Sequence, residues 1–116
     1  MPTRDYHYPA GSVAVIFAST LTGADAEGYA HAAAAMEALA AAQPGYLGLD
    51  SARDGLGLTI SYWADEASAR AWYRHPEHAE IREAGRGRWY QDFTVHVADV
   101  TRSYGWAKSE TAENPA

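Results

Sequence analysis

Gly45-Tyr-Leu-Gly-Leu-Asp-Ser-Ala-Arg-Asp-Gly-Leu-Gly-Leu-Thr-Ile-Ser-Tyr-Trp63 decides the fold of this chain. The run from Leu58 to Trp63 alternates, with Leu58, Ile60 and Tyr62 on one face, which is the period of a half-buried strand. Gly45 to Arg53 alternates more loosely, and Asp54-Gly55 between the two runs is turn chemistry. The stretch therefore reads as a β-hairpin, and the elements on either side complete the architecture. Upstream, Val13-Ala-Val-Ile-Phe-Ala18 is a short β-branched run suited to a buried strand. Asp25 then caps an alanine-rich helix in which Tyr29, Ala33, Met36 and Leu39 or Ala40 recur at helical spacing. That helix ends before Pro44-Gly45.

Downstream of the hairpin, Asp65 caps a second helical region from Glu66 to Arg74. His75-Pro76 interrupts this region and restarts it, because proline is accepted at a first helical position and not inside a continuing helix. Gly85-Arg-Gly87 ends the helix. From Tyr90 a last strand alternates, with Phe93, Val95 and Val97 on a core face and Asp92, Thr94 and His96 on the other. The order βαββαβ gives an α+β fold: a ferredoxin-like sandwich with a four-stranded antiparallel sheet and its helices on one face. The second face has no cover, so a homodimer with the sheets face to face is expected. The expected domain spans 12–106, between an N-terminal tail of 1–11 and a disordered C-terminal tail of 107–116.

Composition narrows the function. A chain of 116 residues holds one core, and with no cysteine it has no disulfide, thiolate metal site or cysteine nucleophile. A formal charge of -6 argues against nucleic-acid and anionic-membrane partners, which are held by Lys/Arg fields. The start of the chain lacks a basic segment followed by an apolar core, and no stretch approaches the length of a membrane helix, so a cytoplasmic protein is expected. A small-molecule ligand is the remaining class.

The densest run of functional side chains is Trp72-Tyr-Arg-His-Pro-Glu-His78, followed by Arg82, Arg86, Arg88, Trp89 and Tyr90. Trp72 is either core or a pocket wall. His75 and His78, three apart at a helix start, suit a general base near neutral pH, although His75 before proline is equally an N-cap. Two histidines and one Glu in a single turn do not make a zinc or iron site, so no metal is expected. Arg86 and Arg88 flank Gly87 beside Trp89 and Tyr90, an arrangement able to hold an anionic oxygen of a flat substrate. Nucleotide-binding motifs and the serine-nucleophile motif are absent.

Gln43-Pro-Gly-Tyr-Leu-Gly48, Ile60-Ser-Tyr-Trp63, Trp72, His75-Pro-Glu-His78 and Gly85-Arg-Gly-Arg-Trp-Tyr90, in this order, resemble the antibiotic biosynthesis monooxygenase family across about residues 12–105. The resemblance implies a dimeric α+β barrel. It also implies oxidation of phenolic compounds with O2 and no prosthetic group, or haem binding and breakdown; a non-catalytic ligand-binding or stress-response dimer is the third reading, favoured by the absence of a pocket asparagine. Trp72 matches the helix tryptophan associated with pockets in that family. Two departures stand out: the pocket asparagine is missing, since the only Asn is Asn114, and Arg82 stands where haem degraders carry a ligand histidine. Haem would therefore need His75 or His78. The leading expectation is a cofactor-free monooxygenase acting on a small aromatic substrate. In it, His78 or His75 is the base, Arg86 or Arg88 the anion partner, and Trp72, Tyr62, Trp63 and Trp89 the pocket walls.

Overall fold

The structure, a computed structural model, describes residues 7–108 of the chain. The elements run β1 (Val13–Leu21), α1 (Ala26–Ala41), β2 (Tyr46–Asp54), β3 (Leu56–Trp63), α2 (Glu66–Arg74), α3 (Pro76–Gly85) and β4 (Tyr90–Asp99). The sheet is wholly antiparallel in the order β2-β3-β1-β4. This is the ferredoxin-like α+β sandwich, and its strands run beyond the apolar runs that signal them. Gly55, at φ 81°, makes the hairpin turn in a backbone region where a Cβ would be strained. Of the two expected tails, residues 1–6 and those beyond 108 lie outside the described residues. Between those limits the chain ends lie together: Gly11 N–H donates to the Val100 carbonyl at 2.9 Å, and Val100 N–H to the Ser12 carbonyl at 2.8 Å.

Strand register sorts the side chains. Trp63 pairs with Val13 and with Tyr46, and Val13 with Asp99, so these residues share the face on which the helices pack. The core gathers at this end of the sheet. Val13, Trp63, Ala40, Ala69 and Trp72 are buried together, with Val15, Met36, Leu39 and Tyr46 against them. Trp63 is 0 % exposed, and its indole N–H donates to Ser61 Oγ at 2.9 Å, so its polar atom is satisfied inside the core. α1 approaches through small side chains, and Ala40 is its buried position. Ala33, expected in the stripe, is exposed.

The other end of the helix-side face is polar. Here Ser19, Gly57 and Arg53 meet, because Ser19 pairs with Gly57 and Gly57 with Arg53. The face away from the helices carries Ile16, Ile60, Leu58 and Leu56 in adjacent rows, and both leucines are exposed. Tyr62 is on this far face too, with Tyr8 stacked on it at 4.2 Å between ring centroids.

β4 departs from the alternation in its sequence. Val95 and Val97 lie on the helix side, opposite Phe17 and Val15, yet they are 44 % and 59 % exposed instead of core. The reason is position: β4 is an edge strand, α2 packs on β1 and β3, and α3 packs on α2 and α1. A strip of β4 is left without a helix above it.

Replacing Trp63 by alanine removes the largest fully buried side chain from the centre of the core. We expect Trp63→Ala to destabilise the fold by about 3–5 kcal/mol, read from the urea midpoint. An unchanged midpoint would remove Trp63 from that central role.

Candidate functional site

The break between α2 and α3 is built as a cap. His75 lies between the helices at φ -58° and ψ 127°, and its Nδ1 accepts from the Glu77 N–H at 3.3 Å, with Pro76 opening α3. Proline supplies a preset φ and needs no hydrogen-bond partner there. His75 thus has one ring nitrogen committed to structure.

His78, one turn on, is placed differently. Its ring lies 4.2 Å from the Trp72 ring at 11°, and its Nδ1 is 2.9 Å from the Trp72 carbonyl oxygen. A carbonyl only accepts, so Nδ1 carries the proton and the lone pair of the neutral ring is at Nε2. Burial pushes the histidine below its ordinary value of 6.5, against the Trp72 carbonyl, with the Arg82 charge acting in the same direction as burial. A neutral imidazole with a committed Nδ1–H and an available Nε2 is the state a general base requires. Trp72 itself is buried and stacks on Trp63 at 5.9 Å. His78, Trp72 and Trp63 are therefore brought together, while Tyr62 is on the opposite face of the sheet.

Arg86, Arg88 and Trp89 lie at the far end of α3. His78 is seven residues before Gly85, so the two are separated by about 10 Å along the helix axis. Beyond Gly85 a pocket of about 210 Å3 is lined by Arg86, Gly87, Tyr90, Gln91, Asp92 and Phe93. Arg86 Cζ sits 5.5 Å from the Phe93 ring centre, and its guanidinium is 3.6 Å from Glu83 in an exposed, weak pair. Gly85 allows close packing here: a Cβ on it would come within 2.9 Å of the Tyr90 ring and 3.1 Å of the Trp89 ring.

Arg88 and Trp89 are tied elsewhere. Asp25, the N-cap of α1, accepts from Gly28 N–H at 3.1 Å, from an Arg88 Nη at 2.8 Å and from the Trp89 indole N–H at 3.2 Å. Thr22 adds two bonds to the same turn, its N–H to the Trp89 carbonyl and its hydroxyl to the Arg88 carbonyl. Asp25 adopts the left-handed region at φ 50°, and Gly28 lacks the Cβ that would collide with its carboxylate. This latch fixes the turn that carries Arg86 and Tyr90 to the pocket. Arg82, at the position the resemblance assigns to a haem ligand, donates to the Tyr73 carbonyl at 3.1 Å and lies 4.1 Å over that ring. A guanidinium has no lone pair to give a metal, so the donor at this position does not fit haem iron.

Tyr90 is the pocket residue that sequence alternation does not select. Counting back from Phe93 by twos would put Tyr90 on the far face with Asp92. A bulge intervenes: Thr20 pairs with Asp92 but Leu21 with Tyr90, leaving Gln91 extra. The extra residue returns Tyr90 to the helix side, where its ring meets Phe17 at 5.2 Å and Phe93 at 5.7 Å. Burial, and then the Tyr29 phenol beside it, push Tyr90 up to about 12, so it remains a neutral hydrogen-bonding group at physiological pH. Next along β4 from Phe93, Val95 and Val97 form its uncovered apolar strip on the helix side.

Comparison with known proteins agrees with this architecture. The profile of the antibiotic biosynthesis monooxygenase family matches residues 12–84. The uncharacterised protein YqjZ of Bacillus subtilis is 45 % identical over 91 residues, covering 77 % of this chain and 79 % of that protein. Among solved structures, SnoaB of Streptomyces nogalater, a cofactor-independent oxygenase, superposes with a TM-score of 0.66 at 20 % identity, covering 89 % of this chain and 100 % of that one. PA3566 of Pseudomonas aeruginosa gives 0.67 at 17 % identity, covering 81 % and 98 %. At these identities the structural likeness establishes the fold.

Asp25 is held below its ordinary value of 3.8, first by the Trp89 indole N–H, then by Arg88 and Gly28. A depressed carboxylate contributes stability that is complete above the unfolded value and is lost as pH falls through the native one. Asp25→Asn should therefore melt at a lower temperature than wild type at pH 7, with the gap closing as the pH is taken below 3.8. Equal melting temperatures at pH 7 would show that the latch carries no stability.

Proposed function

The chain belongs to the antibiotic biosynthesis monooxygenase family, and from that premise we propose that it is a small oxygenase that oxidises a flat phenolic or enolizable molecule with O2 and no prosthetic group. The observation that carries this reading is His78: a half-buried imidazole, stacked on Trp72, with Nδ1 engaged by a carbonyl and Nε2 left as the basic atom. Nε2 takes the phenolic or enolic proton, and the resulting anion is the electron donor to O2. The protein's share of the chemistry is to take the proton and to hold the electron-rich anion with fixed hydrogen-bond donors.

The separation of His78 from the Arg86–Tyr90 pocket, about 10 Å along α3, suits an extended polycyclic molecule lying along the bare strip of Val95 and Val97. Trp72 forms the wall beneath the base, and Arg86, with Phe93 beneath it, closes the far end. Arg88 and Trp89 contribute through the Asp25 latch that holds this end in place. SnoaB, similar in fold, is a cofactor-independent oxygenase, which favours this reading; Arg82 offers no lone pair, so haem breakdown would have to rest on His75 or His78.

The functional unit is a homodimer. Ile16, Ile60, Leu58 and Leu56 form an apolar area on the face no helix covers, and a second copy laid on it would bury both. Light scattering at micromolar concentration should give twice the 12.6 kDa of one chain, and Leu58→Glu should reduce it to one. A 12.6 kDa wild-type species would remove the dimer from the proposal.

Oxygen uptake with a panel of naphthols and anthrones tests the chemistry. His78→Ala should slow turnover by roughly a hundredfold or more, whereas His75→Ala should mainly lower the melting temperature. Because burial depresses His78, wild-type turnover should hold its plateau as pH falls through 6.5 and decline only below it. Uptake that is unaffected by loss of His78 would refute its role as base.

A further inference from the structure

The arginines near the pocket differ in what already neutralises them. Arg88 is paired with Asp25 at 2.8 Å and Arg86 with Glu83 at 3.6 Å. Arg53, itself exposed, forms no ion pair with a carboxylate among the described residues, although hydrogen bonds seat its guanidinium. Its Nη1 donates to the Ser19 carbonyl at 3.0 Å, and its Nη2 donates to Ser19 Oγ at 2.6 Å and to the Tyr29 hydroxyl at 3.4 Å. Gly57 beneath it has no Cβ, and one added there would collide with the guanidinium carbon. The side chain thus crosses β3 to reach β1 along a track that glycine alone leaves open.

Three of the five guanidinium N–H groups are used in this seat, and the remaining two have no protein acceptor among the described residues. Two phenols stand beside this guanidinium. The Tyr29 hydroxyl accepts from it, and the Tyr29 and Tyr90 rings are edge to face at 5.9 Å. Tyr90 belongs to both places, since its ring also walls the pocket of about 210 Å3 beside Arg86 and Phe93. The cluster joins one guanidinium that has no carboxylate partner among the described residues to two phenol hydroxyls, each able to donate to a ligand oxygen, at the polar end of an otherwise apolar face.

We propose that Arg53, with the hydroxyls of Tyr29 and Tyr90, is the oxyanion-holding end of the ligand site, and that the natural ligand is an aromatic molecule bearing an ionised oxygen at that end. This rests on the reading of the Arg86–Phe93 pocket as the ligand site. It moves the anion partner from Arg86 and Arg88 to an arginine on β2. Hydrogen bonds to a charged oxygen exceed those to a neutral one, so the site binds a phenolate in preference to its phenol. That preference lowers the pKa of a bound phenol.

The probe is 4-nitrophenol, whose absorption reports its own ionisation, titrated with purified protein across pH while protein fluorescence reports binding. Wild type should favour the ionised form by about tenfold or more, which is a downward shift of about one pKa unit or more for the bound phenol. Arg53→Met and Tyr29→Phe should bind with the preference reduced or lost, and Arg53→Lys should keep part of it through charge alone. Arg53 also links β1 to β2, so its variants are compared only where circular dichroism shows a folded protein. Tyr29→Phe, which removes one hydroxyl and keeps the ring, stands as the test if they unfold. Phenol bound by wild type with no preference for the anion, or with a preference intact in Tyr29→Phe and Arg53→Met, overturns the Arg53 site and leaves the pocket reading in place. A wild type that binds neither form, nor naphthol, overturns the pocket reading and the Arg53 site with it.

Discussion

Trp63, Trp72 and His78 lie ring over ring, from β3 through α2 to α3, and this stack ties the sheet to the helical layer at the core end. Trp63 is wholly buried against Val13 and Ala40, Trp72 lies 5.9 Å above it, and His78 lies 4.2 Å from Trp72. Aromatic rings bury more area per residue than any aliphatic side chain. Three in series let a helical layer with few large apolar groups hold its place. The same stack half-buries His78 and so favours its neutral form. Packing and acid–base chemistry here are consequences of one arrangement.

The rest of the molecule follows from how little else is available. α1 presents alanines, so it lies near the sheet and fills little volume, and the core is confined to the end where the tryptophans are. At the opposite end the sheet carries Ser19, Gly57 and Arg53, and polar bonds replace apolar packing: Arg53 ties β2 to β1 and reaches α1 through Tyr29. Asp25 does the same for the turn before β4, holding Arg88 and Trp89 with one carboxylate. The pocket lies between these two polar ties, beside an edge strand that no helix covers. A site at this end is open to a ligand because the core stops short of it.

Much of this is legible from residues. Asp54-Gly55, the caps at Asp25 and Asp65 and the His75-Pro76 break are local signals, because turn and cap conformations are set by neighbours within a few positions. Among the candidate site residues, His78 and Trp72 are brought together across the break, whereas His75 is taken up by the cap. Arg88 and Trp89 also sit together, but on Asp25, a residue more than sixty positions away whose local signal is only a helix cap. Tyr62 and Trp63 are neighbours in sequence and therefore point to opposite faces of a strand.

The order of elements, the antiparallel hairpin and the histidine-bearing break in the helix can be read from residues alone, since each depends on hydrophobic period, capping and the backbone limits of proline and glycine. Which residues share a site is settled by packing between distant segments. The bulge at Gln91 turns Tyr90 to the helix side, and a register shift is a property of two paired strands that neither shows alone. Val95 and Val97 alternate as core residues do, yet they stay exposed because coverage depends on where α2 and α3 come to rest. Arg53, which reads as the polar end of a strand, becomes a fixed guanidinium because Gly57, Ser19 and Tyr29 arrive around it from three other elements.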